Sequence, residues 1–208
     1  MNFLVVAILI GVIVLVVLAV EAGMSARRQR RRTHELQLTF GSEYGRAVQE
    51  FGDLKAAEQK LEQRMARVGA YDLEPLDDRD RRRFVDQWQA IRVAFVEDPA
   101  LAVSRADDVL VELMHARGYE GVTEGPVHRA ADISVGFSEA AESYRTASAV
   151  LRKDREGEAT TDDLRAALRN FGMVFEQLLG SPGSEETVPD TRPEGESHRQ
   201  ETFQSRAR

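Results

Sequence analysis

Fifteen of the eighteen residues from Phe3 to Val20 are Leu, Ile, Val or Phe, and the other three are Ala7, Gly11 and Ala19. No charge and no proline interrupts the run. As a helix rising about 1.5 Å per residue it would reach roughly 27 Å. That nearly matches a hydrocarbon core of about 30 Å, and Met1, Asn2, Ala22 and Gly23 supply the remainder. The many β-branched residues favour a strand in water. In lipid, a lone strand would leave its backbone groups unpaired, so a transmembrane helix over residues 1–23 is the expectation. Insertion would gain on the order of 4 to 9 kcal/mol as an upper figure, from helix-centre values of about −0.3 to −0.6 kcal/mol per apolar residue.

A cleavable signal peptide is the competing reading. It calls for a basic start, an apolar core of about 7 to 15 residues and a small-residue cleavage site. Met1-Asn2 has no basic side chain, and Ala19-Val20-Glu21-Ala22 is a poor cleavage sequence. The run therefore reads as a retained anchor. Arg27, Arg28, Arg30, Arg31 and Arg32 follow it with no acid among them. The positive-inside rule then predicts a single-pass protein in the cell membrane, with its N-terminus outside and its body in the cytoplasm. The same arginines are the candidate contact to anionic lipid headgroups, at up to about 1 kcal/mol each near the surface. Ala7 and Gly11 form a small-xxx-small spacing through which two such helices could pair, so a homodimer is one candidate assembly.

Beyond the anchor the chain changes character. It has 208 residues in all, 28 Lys and Arg against 35 Asp and Glu, for a net charge of −7. Between Thr33 and Gly180 the count is 19 basic against 28 acidic residues, or −9. An acidic body is repelled by an anionic leaflet over roughly a Debye length of 8 Å, so it is expected to stand off the surface. The same balance argues against a nucleic-acid partner. No cysteine is present, which excludes disulfides, thiolate metal sites and cysteine nucleophiles.

Apolar residues recur at helical spacing nearly throughout. Phe51, Leu54, Ala57, Leu61, Met65 and Val68 predict a helix near 50–69. Asp77 predicts an N-cap, followed by the stripe Phe84, Trp88, Ile91 and Phe95. Asp98-Pro99 reads as an N-cap and first-turn proline, with Leu101, Val109, Leu110, Leu113 and Met114 pointing inward and Gly118 as the stop. Gly121, Gly125 and Pro126 mark a loop, and His128–Ile133 a short helical piece. Phe137–Arg152 carries the next stripe. Thr160 and Asp163 open the last helix as a capping box, with inward Leu164, Ala167, Leu168, Phe171, Val174, Phe175, Leu178 and Leu179.

These stripes need partners, and short connections predict an all-α antiparallel bundle. The expected organisation has four parts. Residues 1–23 form the transmembrane helix. Residues 24–49 form a basic juxtamembrane linker and the helix leading into the body, with a second short helix from Ser42 and a hinge between anchor and body. Residues 50–180 form the bundle. Residues 181–208, with three of the six prolines, form a disordered tail.

Signatures of chemistry are sparse. His34, His115, His128 and His198 form no HExxH pair, and no GxxxxGK[ST] or GxSxG motif occurs. His115 and His128 flank the glycine loop. With Glu112 or Asp132 they are the one candidate metal set, and they underlie the alternative reading of a membrane-associated enzyme or metal-binding sensor. Arg79, Arg81, Arg82 and Arg83 are surrounded by acids and read as a solvated helix start laced with ion pairs. Trp88 reads as core. Asp107, Asp108 and Glu112 read as a solvated helix face.

Phe40-Gly41-Ser42-Glu43-Tyr44-Gly45-Arg46-Ala47-Val48, with Gly52-Asp53, Trp88 and Phe95, Asp98-Pro99, Ala106-Asp107, Arg129-Ala130-Ala131-Asp132 and Thr161-x-Asp163-Leu164-Arg165, resembles a group of uncharacterised bacterial single-pass membrane-anchored helical proteins. Members of that group often carry Pro where Ser42 stands and Asp where Gly45 stands. The resemblance implies a helical domain behind one membrane helix, and no cofactor, metal or catalytic residue comes with it. Taken together, the expectation is a non-enzymatic interaction or scaffold module, tethered to the lipid bilayer and binding another protein.

Overall fold

The computed structural model describes residues 27–180, together with residues 15, 20, 21, 23 and 24. Most of the apolar run Phe3–Val20 and all of the tail Ser181–Arg208 lie outside the described residues. Among the described residues no helix is long and apolar enough to cross a membrane.

Every regular element among the described residues is helical, and none is a strand. Residues 27–40 are helical, and we label them α1. Then follow α2 (Ser42–Phe51), α3 (Leu54–Val68), α4 (Asp78–Ala94), α5 (Pro99–Ala116), a single 3-10 segment (Glu120–Glu124), α6 (Pro126–Gly136), α7 (Ser138–Arg155) and α8 (Thr161–Leu179). The all-α expectation holds. The contacts divide the chain into two compact units, Met1–Leu61 and Glu62–Arg208. This division falls inside α3, whereas the sequence reading divides the body from its linker at residue 49.

In the first unit, residues 33–49 supply the end of one helix and most of another, as expected. The single helix expected near 50–69 is instead broken. Gly52 adopts a left-handed conformation that ends α2, with its N–H bonded to the Val48 carbonyl. Asp53 then restarts the chain, its Oδ2 accepting the Ala56 N–H at 2.8 Å. Leu54, at the first position of the new helix, is left exposed rather than in the stripe. Leu36, Phe40, Tyr44, Ala47, Ala57 and Leu61 are buried.

In the second unit the caps fall where the sequence places them. Asp77 accepts the Asp80 N–H at 2.7 Å, and Asp98 accepts the Leu101 N–H at 3.0 Å ahead of Pro99. Loops of four and five residues, 95–98 and 156–160, join α4 to α5 and α7 to α8, and both pairs pack on each other. Helix α5 also packs on α7 and α8, and α6 on α7. Phe84, Val103, Leu110, Leu113, Met114, Ile133, Tyr144, Phe171 and Leu178 are buried at the centre. The Trp88 ring stacks on Phe175 with centroids 4.6 Å apart, so the sole tryptophan is a core residue.

Leu101 corrects the inward list, because it is 46% exposed. Two residues along a helix is a turn of about 200°, so burying Val103 puts Leu101 on the opposite side. Ala102, Val103 and Ala106 make the first inward turns instead. Around the loop, Pro126 begins α6 at its first turn, earlier than the expected His128, and Phe137 precedes α7 rather than opening it.

The capping box at α8 gives a first prediction. Thr160 Oγ1 accepts the Asp163 N–H at 3.2 Å, and Asp163 Oδ2 accepts the Thr160 N–H at 2.9 Å. Thr160→Ala should cost about 1 kcal/mol in urea unfolding. The backbone N–H of Thr160, then its hydroxyl, hold the Asp163 carboxyl below its ordinary value. A lowered folded-state value means this carboxylate stabilises the fold above the ordinary carboxylate range. The contribution fades as pH falls through the folded-state value, so the penalty of Asp163→Asn should shrink in acid.

Candidate functional site

The five arginines singled out from the sequence, Arg27, Arg28, Arg30, Arg31 and Arg32, all lie on α1 and are all exposed. At about 100° per residue, five positions within six residues spread over more than half the helix circumference. They form a partial collar. Below the collar, one residue organises the first unit. Glu58 of α3 is only 2% exposed, and a carboxylate that far from water needs hydrogen bonds. It receives Gln29 Nε2 at 2.7 Å on Oε2, and on Oε1 both Thr33 Oγ1 at 2.7 Å and Tyr44 OH at 2.9 Å. Burial first, and then the Glu58 carboxylate it bonds, push the Tyr44 phenol up to about 12. Tyr44 therefore keeps its proton and donates a hydrogen bond to Glu58.

Two polar clusters occupy the second unit. In one, Tyr144 donates its OH to Asp107 Oδ1 at 2.6 Å and accepts Arg129 Nε at 2.5 Å. Arg129 further donates to Asp107 Oδ2 at 3.1 Å and to the Val122 carbonyl at 3.0 Å. The side chains of Arg129 and Asp107 are 10% and 17% exposed, so the ion pair is largely dry. Burial and the neighbouring Asp107 hold the Tyr144 phenol far above its ordinary value, which keeps it protonated. In the other cluster, Asp132 is 1% exposed. Its Oδ1 accepts Arg67 Nε at 2.9 Å and also Arg67 Nη2, and its Oδ2 accepts Tyr71 OH at 3.1 Å. Gly121 lies against this cluster. A Cβ there would come within 2.9 Å of both Asp132 Oδ2 and Tyr71 OH, so a side chain at 121 would push one of these groups aside.

Sequence reasoning placed Asp107 on a solvated face and gave Arg129 and Tyr144 no polar role. A signal was present. Asp107 lies four residues after Val103 and three before Leu110, which is inward spacing on α5. Its neighbour Asp108 takes the exposed position. Desolvation, followed by repulsion from Asp107 and Glu112, raises the Asp108 carboxyl above its ordinary value. A raised folded-state value means the folded state binds the proton more tightly, so stability falls as pH rises through the carboxylate range. Asp108→Asn should therefore raise stability at neutral pH, by no more than about 0.5 kcal/mol for an exposed site, in thermal melts. The gain should vanish below the ordinary carboxylate range.

The structure does not assemble the candidate metal set. His115 is exposed, and His128 Nε2 pairs with Glu124 Oε2 at 3.0 Å. Glu112 faces Arg83 at 3.8 Å, and Asp132 is committed to Arg67 and Tyr71. Among the described residues no group of three His, Cys, Asp or Glu is placed to hold a metal ion. The arginine run at the start of α4 divides its work. Arg83 pairs with Asp80 at 3.2 Å, and Arg81 reaches the Gly180 carbonyl. Arg117, from the end of α5, donates to the Leu178 carbonyl at 2.8 Å. Both cations thus meet the carbonyl end of α8, where the helix dipole favours them.

Compared with protein-family models, with curated proteins and with solved structures, the chain matches none. The resemblance drawn from Phe40–Val48 and the scattered motifs rests on those residues alone.

Proposed function

We propose that this chain is a single-pass membrane protein whose helical body is a non-enzymatic interaction module for another protein, held on the cytoplasmic side of the cell membrane. The observation that carries the reading is the arginine collar. Its five cations are exposed on α1, immediately after the apolar run Phe3–Val20. The run is long enough for a bilayer core of about 30 Å. The collar gives the orientation, because Lys and Arg next to a span keep that flank on the cytoplasmic side. The N-terminus then lies outside.

The anchor supplies effective concentration, since a tethered body meets membrane-bound partners as if in an intramolecular reaction. The net charge of −9 over Thr33–Gly180 keeps the body off an anionic leaflet, with its helix faces free for a partner. Collar and body thus divide the labour: one touches lipid headgroups and the other meets protein. Pairing of two anchors through Ala7 and Gly11 would present two bodies together.

Reporters fused after Gly180 test the orientation. A reporter that works only in the cytoplasm should be active, and one that works only after export should be silent. The reverse pattern would overturn the proposal.

A further inference from the structure

We infer that Glu58 is a positioning residue for the arginine collar: it locks the collar-bearing half of α1 to α3 and so fixes which arginines face outward. The inference deepens the proposed function, since lipid contact by the collar rests on that reading, but the lock itself rests on geometry within the first unit.

The residues of α1 that turn toward buried structure or toward Glu58 are Gln29, Thr33, Leu36 and Phe40. They step by four, three and four, which is one face of a helix. The face changes character along its length. Its lower half is apolar and buried, at Leu36 and Phe40. Its upper half, within the collar, is polar, and there apolar burial gives way to two hydrogen bonds on one carboxylate. Glu58 is 2% exposed and accepts hydrogen bonds from Gln29, Thr33 and Tyr44, the first two on α1. If the top of α1 swung away, a buried carboxylate would keep Tyr44 and lose Gln29 and Thr33. Leaving a buried charged acceptor undersatisfied is far more costly than losing an exposed bond. The arrangement therefore resists opening in a way that two apolar side chains at 29 and 33 would not direct.

With Gln29 fixed toward Glu58, the rest of the collar follows from helix geometry. Arg27 and Arg31 lie two residues to either side, at about 200°, on the far face of α1. Arg28 and Arg30 lie at about 100°, on its flanks, and Arg32, at about 300°, lies nearest the Gln29 face. The lock thus turns a cluster of cations into an oriented one, with Arg27 and Arg31 leading.

The absence of cysteine makes the test direct. Spin labels on Glu35→Cys and Gln59→Cys, both exposed positions, report the α1–α3 distance by pulsed electron resonance. The full chain is placed in nanodiscs of phosphatidylcholine with phosphatidylglycerol. With Glu58 intact one narrow distance is expected. Glu58→Ala should at least double its width, and Glu58→Gln, which keeps one acceptor oxygen, should fall between. Should Glu58→Ala lose helix content, Gln29→Ala with Thr33→Val removes the α1 donors and leaves Glu58 in place, and the same broadening is expected. A width unchanged in these variants overturns the lock. Retention of phosphatidylglycerol is measured separately on the chain with Arg27→Gln and Arg31→Gln. Broadening without any loss of that lipid would support the lock and overturn the lipid reading of the collar.

Discussion

Changing Arg27, Arg28, Arg30, Arg31 and Arg32 together to Gln should abolish the fixed orientation of the chain. Each arginine near an anionic surface contributes up to about 1 kcal/mol, so the set contributes at most about 5 kcal/mol of headgroup attraction. The same five residues are the whole positive excess beside the apolar run, because no acid or lysine lies between Glu21 and Glu35. Without them, neither flank of the run carries a strong basic bias, and the bias sets topology. Reporters after Gly180 should then divide between the two sides of the membrane. Single substitutions should change little, since four cations remain. Vesicle binding by the flank should also weaken steeply as salt is raised, because the cations are exposed and screened. An unchanged topology in the five-fold variant would assign orientation to something other than the collar.

Arg67→Ala carries the largest expected loss of stability. It removes the cation that bonds Asp132 through two nitrogens and leaves a carboxylate at 1% exposure with Tyr71 as its remaining partner in the cluster. Removing one partner of a buried pair costs about 3 to 5 kcal/mol. The value should fall toward the lower end, because Arg67 itself is one-third exposed and its side of the pair is partly wet. Asp132→Asn should cost less, since an amide strands no buried charge. In the double variant the two penalties should not add: with the carboxylate gone, losing Arg67 matters little. Urea unfolding of the four proteins measures this directly. Additive penalties would mean that the two residues contribute independently and that the ion pair is incidental.

These two predictions draw on different kinds of information in the chain. The caps and the apolar stripes are local, and local signals were legible. Asp98-Pro99 and Thr160 with Asp163 satisfy their own helix starts within three residues, so no tertiary knowledge is needed to find them. The break at Gly52-Asp53 was also written locally, but the stripe continuing from Phe51 to Leu54 masked it. Leu101 misled because apolar character and helix phase disagree there, and the phase set by Val103 and Leu110 decides.

The polar clusters were not legible for a physical reason. Asp107 meets Tyr144 across 37 residues, and Asp132 meets Arg67 across 65. Such pairs exist only once helices have docked. Before that, a carboxylate on a helix looks the same whether it will face water or an arginine. Glu58 shows the intermediate case. It lies beside the buried Ala57 on α3, yet its donors come from α1 and from Tyr44, up to 29 residues away. The metal reading of His115 and His128 failed in the same way. Proximity to one glycine loop does not fix where two side chains point, and His128 turned to Glu124.

The central claim is that the apolar run stays in the bilayer and holds the body to it. Washing membranes from expressing cells with alkaline carbonate, then weighing the intact chain by mass spectrometry, tests this most directly. The account predicts a carbonate-resistant pellet containing the chain with residues 1–23 still attached. Release into the wash, or a mature chain that begins after Val20, would contradict it.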